Sequence, residues 1–157
     1  MDAASLLILP SKDEQNAVLG IKSEDEDELG WVFPEVDPGN RPLGARIIVQ
    51  LRRTRTKTKS GIVLAQDTKQ AEQWNNQVAK VVAVGPIAFR NRETGDAWNE
   101  GAWCHVGDYV RVPRWGGDRF TAKVPASDDE VTFCVFTDHE IIAAVTGDPL
   151  VQKNYIL

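Results

Sequence analysis

The chain has 157 residues, 42% of them apolar, enough for one core with extensions around it. It contains no apolar run of about 18 residues, so nothing reads as a membrane span. The apolar stretch Ser5–Leu9 is short and lacks a basic leader, which argues against a signal peptide. The net charge of -5 is uneven: residues 1–37 hold ten acids and two bases, and the rest holds thirteen acids and sixteen bases. The two cysteines, Cys104 and Cys134, read as reduced thiols of a cytoplasmic chain rather than as a disulfide scaffold.

In chain order, residues 1–39 form an acidic extension that includes the run Glu24–Glu28 and closes on Pro34, Pro38 and Gly39. Adjacent like charges repel and resist packing, so this segment is expected to be disordered or loosely packed. Two uses remain open for it, a solvated tail and an arm that touches a basic surface. From Asn40 onward the texture is that of short strands. Ala45–Leu51 is rich in β-branched residues. Val78–Val84 is stopped by Gly85-Pro86. Tyr109–Pro113 is entered through Val106-Gly107-Asp108. Arg119–Val124 and Val131–Phe136 follow, the latter through the turn Ser127-Asp128-Asp129. His139–Val145 is ambiguous. Thr137 and Glu140 have capping-box spacing for a short helix, while Ile141, Ile142 and Val145 suit a terminal strand equally. Many short strands and no long helix predict an all-β fold, a small barrel or sandwich.

Between the first two strands lies a polar segment, Thr56–Gln70, with three adjacent aliphatics, Ile62, Val63 and Leu64, behind Gly61. An apolar triplet is commonly a core strand. The residues alone leave a second reading open, a hook on a polar loop that gains by burial elsewhere, about 1.5–3 kcal/mol for each side chain fully buried. Ordering the polar residues around it costs about 1–2 kcal/mol each, so a single such loop binds weakly. Residues 52–59 are basic, with Arg53, Arg55, Lys57 and Lys59 alternating with threonines. A nucleic-acid-binding barrel would use such a strand on phosphates, but the aromatics that stack on bases are missing from it.

The order of these pieces resembles the GroES-type co-chaperonin family. The resemblance runs over residues 40–146. It rests on Arg41-Pro42-Leu43 followed by Arg46–Val49, on Lys59–Leu64, on Val78–Gly85 with Gln77 in place of a glycine, on Val106–Val110, and on Asp138–Val145. It implies a small β-barrel with a mobile loop at about residues 53–72 and a roof insert at about residues 86–105. The loop would dock on a GroEL-type chaperonin through Gly61, Ile62, Val63 and Leu64. The roof hairpin would turn at Glu93, Thr94, Gly95 and Asp96. Trp98 and Trp103, in the same insert, would either pack on the barrel or line the dome. Family members form rings of seven, pairing the first strand of one subunit with the last of the next. Leu43, Ile47 and Val49 would then meet Ile141, Ile142 and Val145. Residues 147–157 make a C-terminal extension, either an anchor or a frayed tail. The enlarged, divergent form is of the kind a bacteriophage carries, which would place it in the host cytoplasm with capsid proteins as clients. A virion structural protein using the same barrel is the remaining alternative.

Enzyme readings are poor. No phosphate-binding glycine loop is present, so ATP would be bound by the partner chaperonin and no cofactor is expected. Cys104 and His105 are adjacent, and adjacent strand residues face opposite ways, which defeats a nucleophile–base pair. Two cysteines and two histidines without C-x-x-C or H-x-x-x-H spacing do not suggest zinc.

Overall fold

The computed structural model describes residues 24–53 and 77–152, with side chains of the first helix described from Glu28 on. The elements run α1 (Glu24–Val32), β1 (Arg46–Leu51), β2 (Val78–Val84), β3 (Tyr109–Arg111), β4 (Asp118–Lys123), β5 (Glu130–Thr137), a 3-10 turn (Asp138–Glu140) and β6 (Ala143–Ala144). The strands form one antiparallel sheet in the order β4-β5-β1-β2-β3-β6. This is the all-β architecture expected of a small barrel. No helix among the described residues is long and apolar enough to cross a membrane.

β1 is the middle of the molecule. It pairs with β2 on one edge and β5 on the other. Alternation sends Ile47, Val49 and Leu51 into the main cluster with Val81, Val110 and Phe136. Ile48 points the other way, into a second cluster with Phe133, Val131 and Val36. The strand is therefore buried on both faces over Ile47–Leu51, which is why it reads as a nearly unbroken aliphatic run. Between Ile48 and Val49 the register slips, because Val82 of β2 is an extra residue opposite β1.

The second face of β1 is covered in part by the acidic extension, and here the fold departs from the expected loose tail. α1 opens on the acidic run Glu24–Glu28. The apolar residues that follow do the packing: Val32, Phe33 and Val36 are buried. Phe33 meets Tyr109 edge-on at 5.2 Å. Gln50, a buried polar side chain on the outer face of β1, donates from Nε2 to the Pro34 carbonyl at 2.8 Å. A charge count cannot detect this, because the packing is done by residues 29–36 rather than by the charged run.

The ambiguous stretch after β5 contains both predicted elements in sequence. The Glu140 carboxylate accepts from the Thr137 backbone N–H at 2.7 Å, as the capping spacing predicts. Only one 3-10 turn forms, because Ile141 is already extended, and β6 then pairs with β3. Gly85, at the end of β2, is held against β1 by its N–H to the Arg46 carbonyl at 2.8 Å. A Cβ there would lie 2.7 Å from that same oxygen, so the position requires glycine.

Candidate functional site

Leu51 is paired with Ala79, so the chain between them leaves the sheet and returns to it at neighbouring points. Gly61, Ile62, Val63 and Leu64 belong to that excursion and lie outside the described residues. Its two roots are described, and both are held. Gln77 and Val112 exchange contacts, Val112 N–H to the Gln77 carbonyl at 2.7 Å and Gln77 Nε2 to the Val112 carbonyl at 3.3 Å. Arg52 donates from Nη2 to the Leu150 carbonyl at 3.0 Å. The Arg53 N–H donates to the Val32 carbonyl at 3.0 Å. Its guanidinium lies 4.4 Å over the Trp31 ring and pairs with the Asp129 carboxylate. Of the basic segment 52–59, the two arginines that are described are thus engaged within the chain, which weighs against a phosphate-contacting role for them.

The insert after β2 carries a real hairpin. Arg90 bridges Ala97, the Asn91 N–H reaches the Asp96 carbonyl at 2.7 Å, and the Gly95 N–H reaches the Asn91 carbonyl at 2.8 Å. Asn91 Oδ1 accepts from the N–H groups of Glu93 and Thr94 at 2.9 and 3.3 Å, and Gly95 takes the positive φ of 78° that the tip requires. Glu93, Thr94, Gly95 and Asp96 are all exposed at this tip. At its base Trp98 packs on the main core. Trp98 also stands edge-on to Phe89 and Trp103, at 5.4 and 5.0 Å, and stacks on His139 at 4.7 Å. Trp103 keeps over a third of its surface exposed.

Asp138, which the sequence did not single out, ties this hairpin to the last turn. It is buried, with Oδ2 accepting from the Phe89 N–H at 3.0 Å and Oδ1 from the His139 N–H at 2.8 Å. Phe89 adopts a left-handed φ of 62° there. Its sequence signals were its place inside the capping box and at the head of the Asp138–Val145 motif.

The six residues expected at a subunit interface separate into two groups. Ile47, Val49 and Ile141 are buried in the chain's own core, and both edges of β1 are already paired. The side chains of all three face inward, and Ile47 and Val49 lie on a strand with no open edge. Leu43 and Ile142 are 59% and 58% exposed, Val145 is half-buried beside Phe33 and Tyr109, and β6 ends the sheet.

Cys104 is buried while its neighbour His105 is exposed, so the two side chains diverge. Burial pushes the thiols of Cys104 and Cys134 up to about 11, with nearby Asp108 adding to the effect at Cys104. An unfolded thiol releases its proton from about 9 upward while these hold theirs, so the unfolded state binds fewer protons between those values. Stability is therefore expected to be level below pH 9 and to fall as pH rises toward 11, and thiol reagents at pH 8 should label the native protein far more slowly than the denatured one. Denaturant midpoints across this range, with a Cys104→Ala/Cys134→Ala control that flattens the trend, check it.

Comparison with known proteins agrees with this arrangement. The family described as Chaperonin 10 Kd subunit matches residues 40–145. The chain is 37% identical over 107 residues to the mitochondrial 10 kDa heat shock protein of Saccharomyces cerevisiae, an overlap of 68% of this chain and 89% of the relative. It is 52% identical over 105 residues to the co-chaperonin GroES of Acetivibrio thermocellus, covering 67% and 96%. It is 33% identical over 107 residues to the co-chaperonin GroES of Clostridium botulinum, covering 68% and 97%. With the family model matching residues 40–145 and relatives of this identity covered over nearly their whole length, the chain belongs to the chaperonin 10 kDa subunit family and is a co-chaperonin of the GroES type.

Proposed function

We propose that this co-chaperonin forms a ring-shaped lid on an ATP-driven chaperonin of the GroEL type and closes a chamber in which client proteins fold. The observation that carries the reading is the pairing of Leu51 with Ala79 inside the family-matched region. It puts the segment containing Gly61, Ile62, Val63 and Leu64 on a tether whose two ends are fixed side by side. An aliphatic triplet on such a tether gains about 1.5–3 kcal/mol per side chain on burial in a partner, against the cost of ordering the polar residues around it. A ring presents several copies at once, so weak single contacts add to firm but reversible capping. ATP belongs to the partner in this scheme. The exposed hairpin Glu93–Asp96 forms the roof of the dome.

The ring, a heptamer in this reading, closes through Leu43 of one subunit and Ile142 of the next, with the open edge at β6 as the pairing edge. This is narrower than the six-residue set, because Ile47, Val49 and Ile141 are used internally.

Replacing Ile62, Val63 and Leu64 together by Ser tests the docking. Capping affinity, measured as chaperonin-dependent refolding, is expected to fall by at least about a hundredfold, since three buried side chains are lost from every subunit. Native mass spectrometry should still show the same oligomer. Intact rings with undiminished capping would overturn the assignment.

A further inference from the structure

Described residues from both sides of the family-matched stretch 40–145 meet at one place, the root of the excursion between β1 and β2. The last pair in the β1–β2 ladder is Leu51 with Ala79. Beyond it the chain leaves β1, and a strand end that nothing holds frays. In this protein Arg52 and Arg53 are held from outside the ladder as well. Val32 supplies the carbonyl that the Arg53 N–H needs, at 3.0 Å. Trp31 lies 4.4 Å under the Arg53 guanidinium. Leu150, from the other extension, supplies the carbonyl for Arg52 at 3.0 Å. The same cluster reaches the returning strand, where Phe33 and Val32 are buried against Val78 and Tyr109. One apolar cluster built from both extensions therefore grips both roots.

We propose that Trp31, Phe33 and Leu150 form a collar of positioning residues for the docking segment, fixing its exit at Arg53 so that less of the chain has to be ordered when it docks. This rests on the docking role given above to Ile62–Leu64. Each backbone residue already fixed spares the ordering of one more at docking. For a residue otherwise wholly free, that is about five- to thirtyfold in affinity per loop. The collar adds no contact to the partner. It acts by preorganisation alone.

The test uses the full-length chain with Trp31→Ala, and Trp31→Phe as the conservative variant that keeps a ring under the guanidinium. Amide exchange at Arg53 is expected to quicken by at least about tenfold in Trp31→Ala, as its hydrogen bond to Val32 opens more often. Affinity for a GroEL-type chaperonin with nucleotide should fall about five- to thirtyfold, with the same oligomer by native mass spectrometry. Trp31→Phe should recover most of both. A purely structural role would lower the melting temperature and leave affinity per folded ring untouched. An Arg53 amide that is released while capping stays equal or tightens overturns the proposal. Should Trp31→Ala not fold, Arg53→Lys keeps the charge toward Asp129 and the backbone N–H but loses the planar stack, and the same two readouts apply. The Ile62/Val63/Leu64→Ser protein separates the two ideas. If it caps normally, the docking role fails and the collar's part in docking fails with it. If it does not cap while Trp31→Ala caps like the wild type, the positioning role alone falls.

Discussion

Truncating Phe133 to Ala is expected to cost about 3–5 kcal/mol of unfolding free energy, the largest effect of any single core change here. Phe133 is wholly buried in the cluster on the outer face of β1. Its neighbours are held on three sides: Gln50 opposite it on β1, Phe120 opposite it on β4 and stacked at 5.4 Å, and Val36 from the extension. Two of these three are strand residues locked by ladder hydrogen bonds, so the walls cannot close on the cavity and its cost is retained. Urea unfolding monitored by tryptophan fluorescence reads the change directly. A loss below about 1 kcal/mol would mean that the outer cluster collapses freely, and that the covering by Val36 contributes little.

Removing the Asp138 carboxylate is expected to cost about 1–3 kcal/mol in Asp138→Ala, because the buried Phe89 N–H loses its acceptor and the part-buried His139 N–H loses the same partner. Asp138→Asn keeps one oxygen but turns an amide NH2 toward the other donor, so it should fall between wild type and Ala. The damage should be local before it is global. The Phe89 amide and the hairpin residues behind it should lose exchange protection first, since Phe89 holds its left-handed φ of 62° against that carboxylate. Thermal unfolding of both variants, together with amide exchange at Phe89, checks the order. Loss of protection spread evenly over the sheet would count against a local tie.

Much of this fold was readable along the chain. β2 runs over Val78–Val84 as its β-branched run and the Gly85-Pro86 stop predict, and β5 exceeds its predicted span by one residue at each end. The hairpin tip at Glu93–Asp96, expected from the family resemblance, rests on the turn residues Asn91 and Gly95. These features depend on neighbours in sequence. The features that escaped depend on distant ones. The Asp138–Phe89 bond joins residues 49 positions apart, and the Arg52–Leu150 bond joins residues 98 apart. The double-faced burial of β1 escaped for the same reason, since the cover comes from residues before Pro38. The signal that was present, Trp31-Val32-Phe33 two residues after the acids, was outweighed by the charge of Glu24–Glu28. The family resemblance supplied the expectations for Gly61–Leu64 and for ring contacts, and of the residues named for those contacts Ile47 and Val49 lie in the chain's own core.

The hydrogen bond from Gln50 to Pro34 has a practical corollary. A version of the protein trimmed to the portion shared with its relatives would strip the shelter from one side of the central strand. It would leave a carboxamide without its acceptor beside bare aliphatic surface. The segment before residue 40 thus acts as a shield for its own barrel, keeping an aliphatic flank out of reach of other chains.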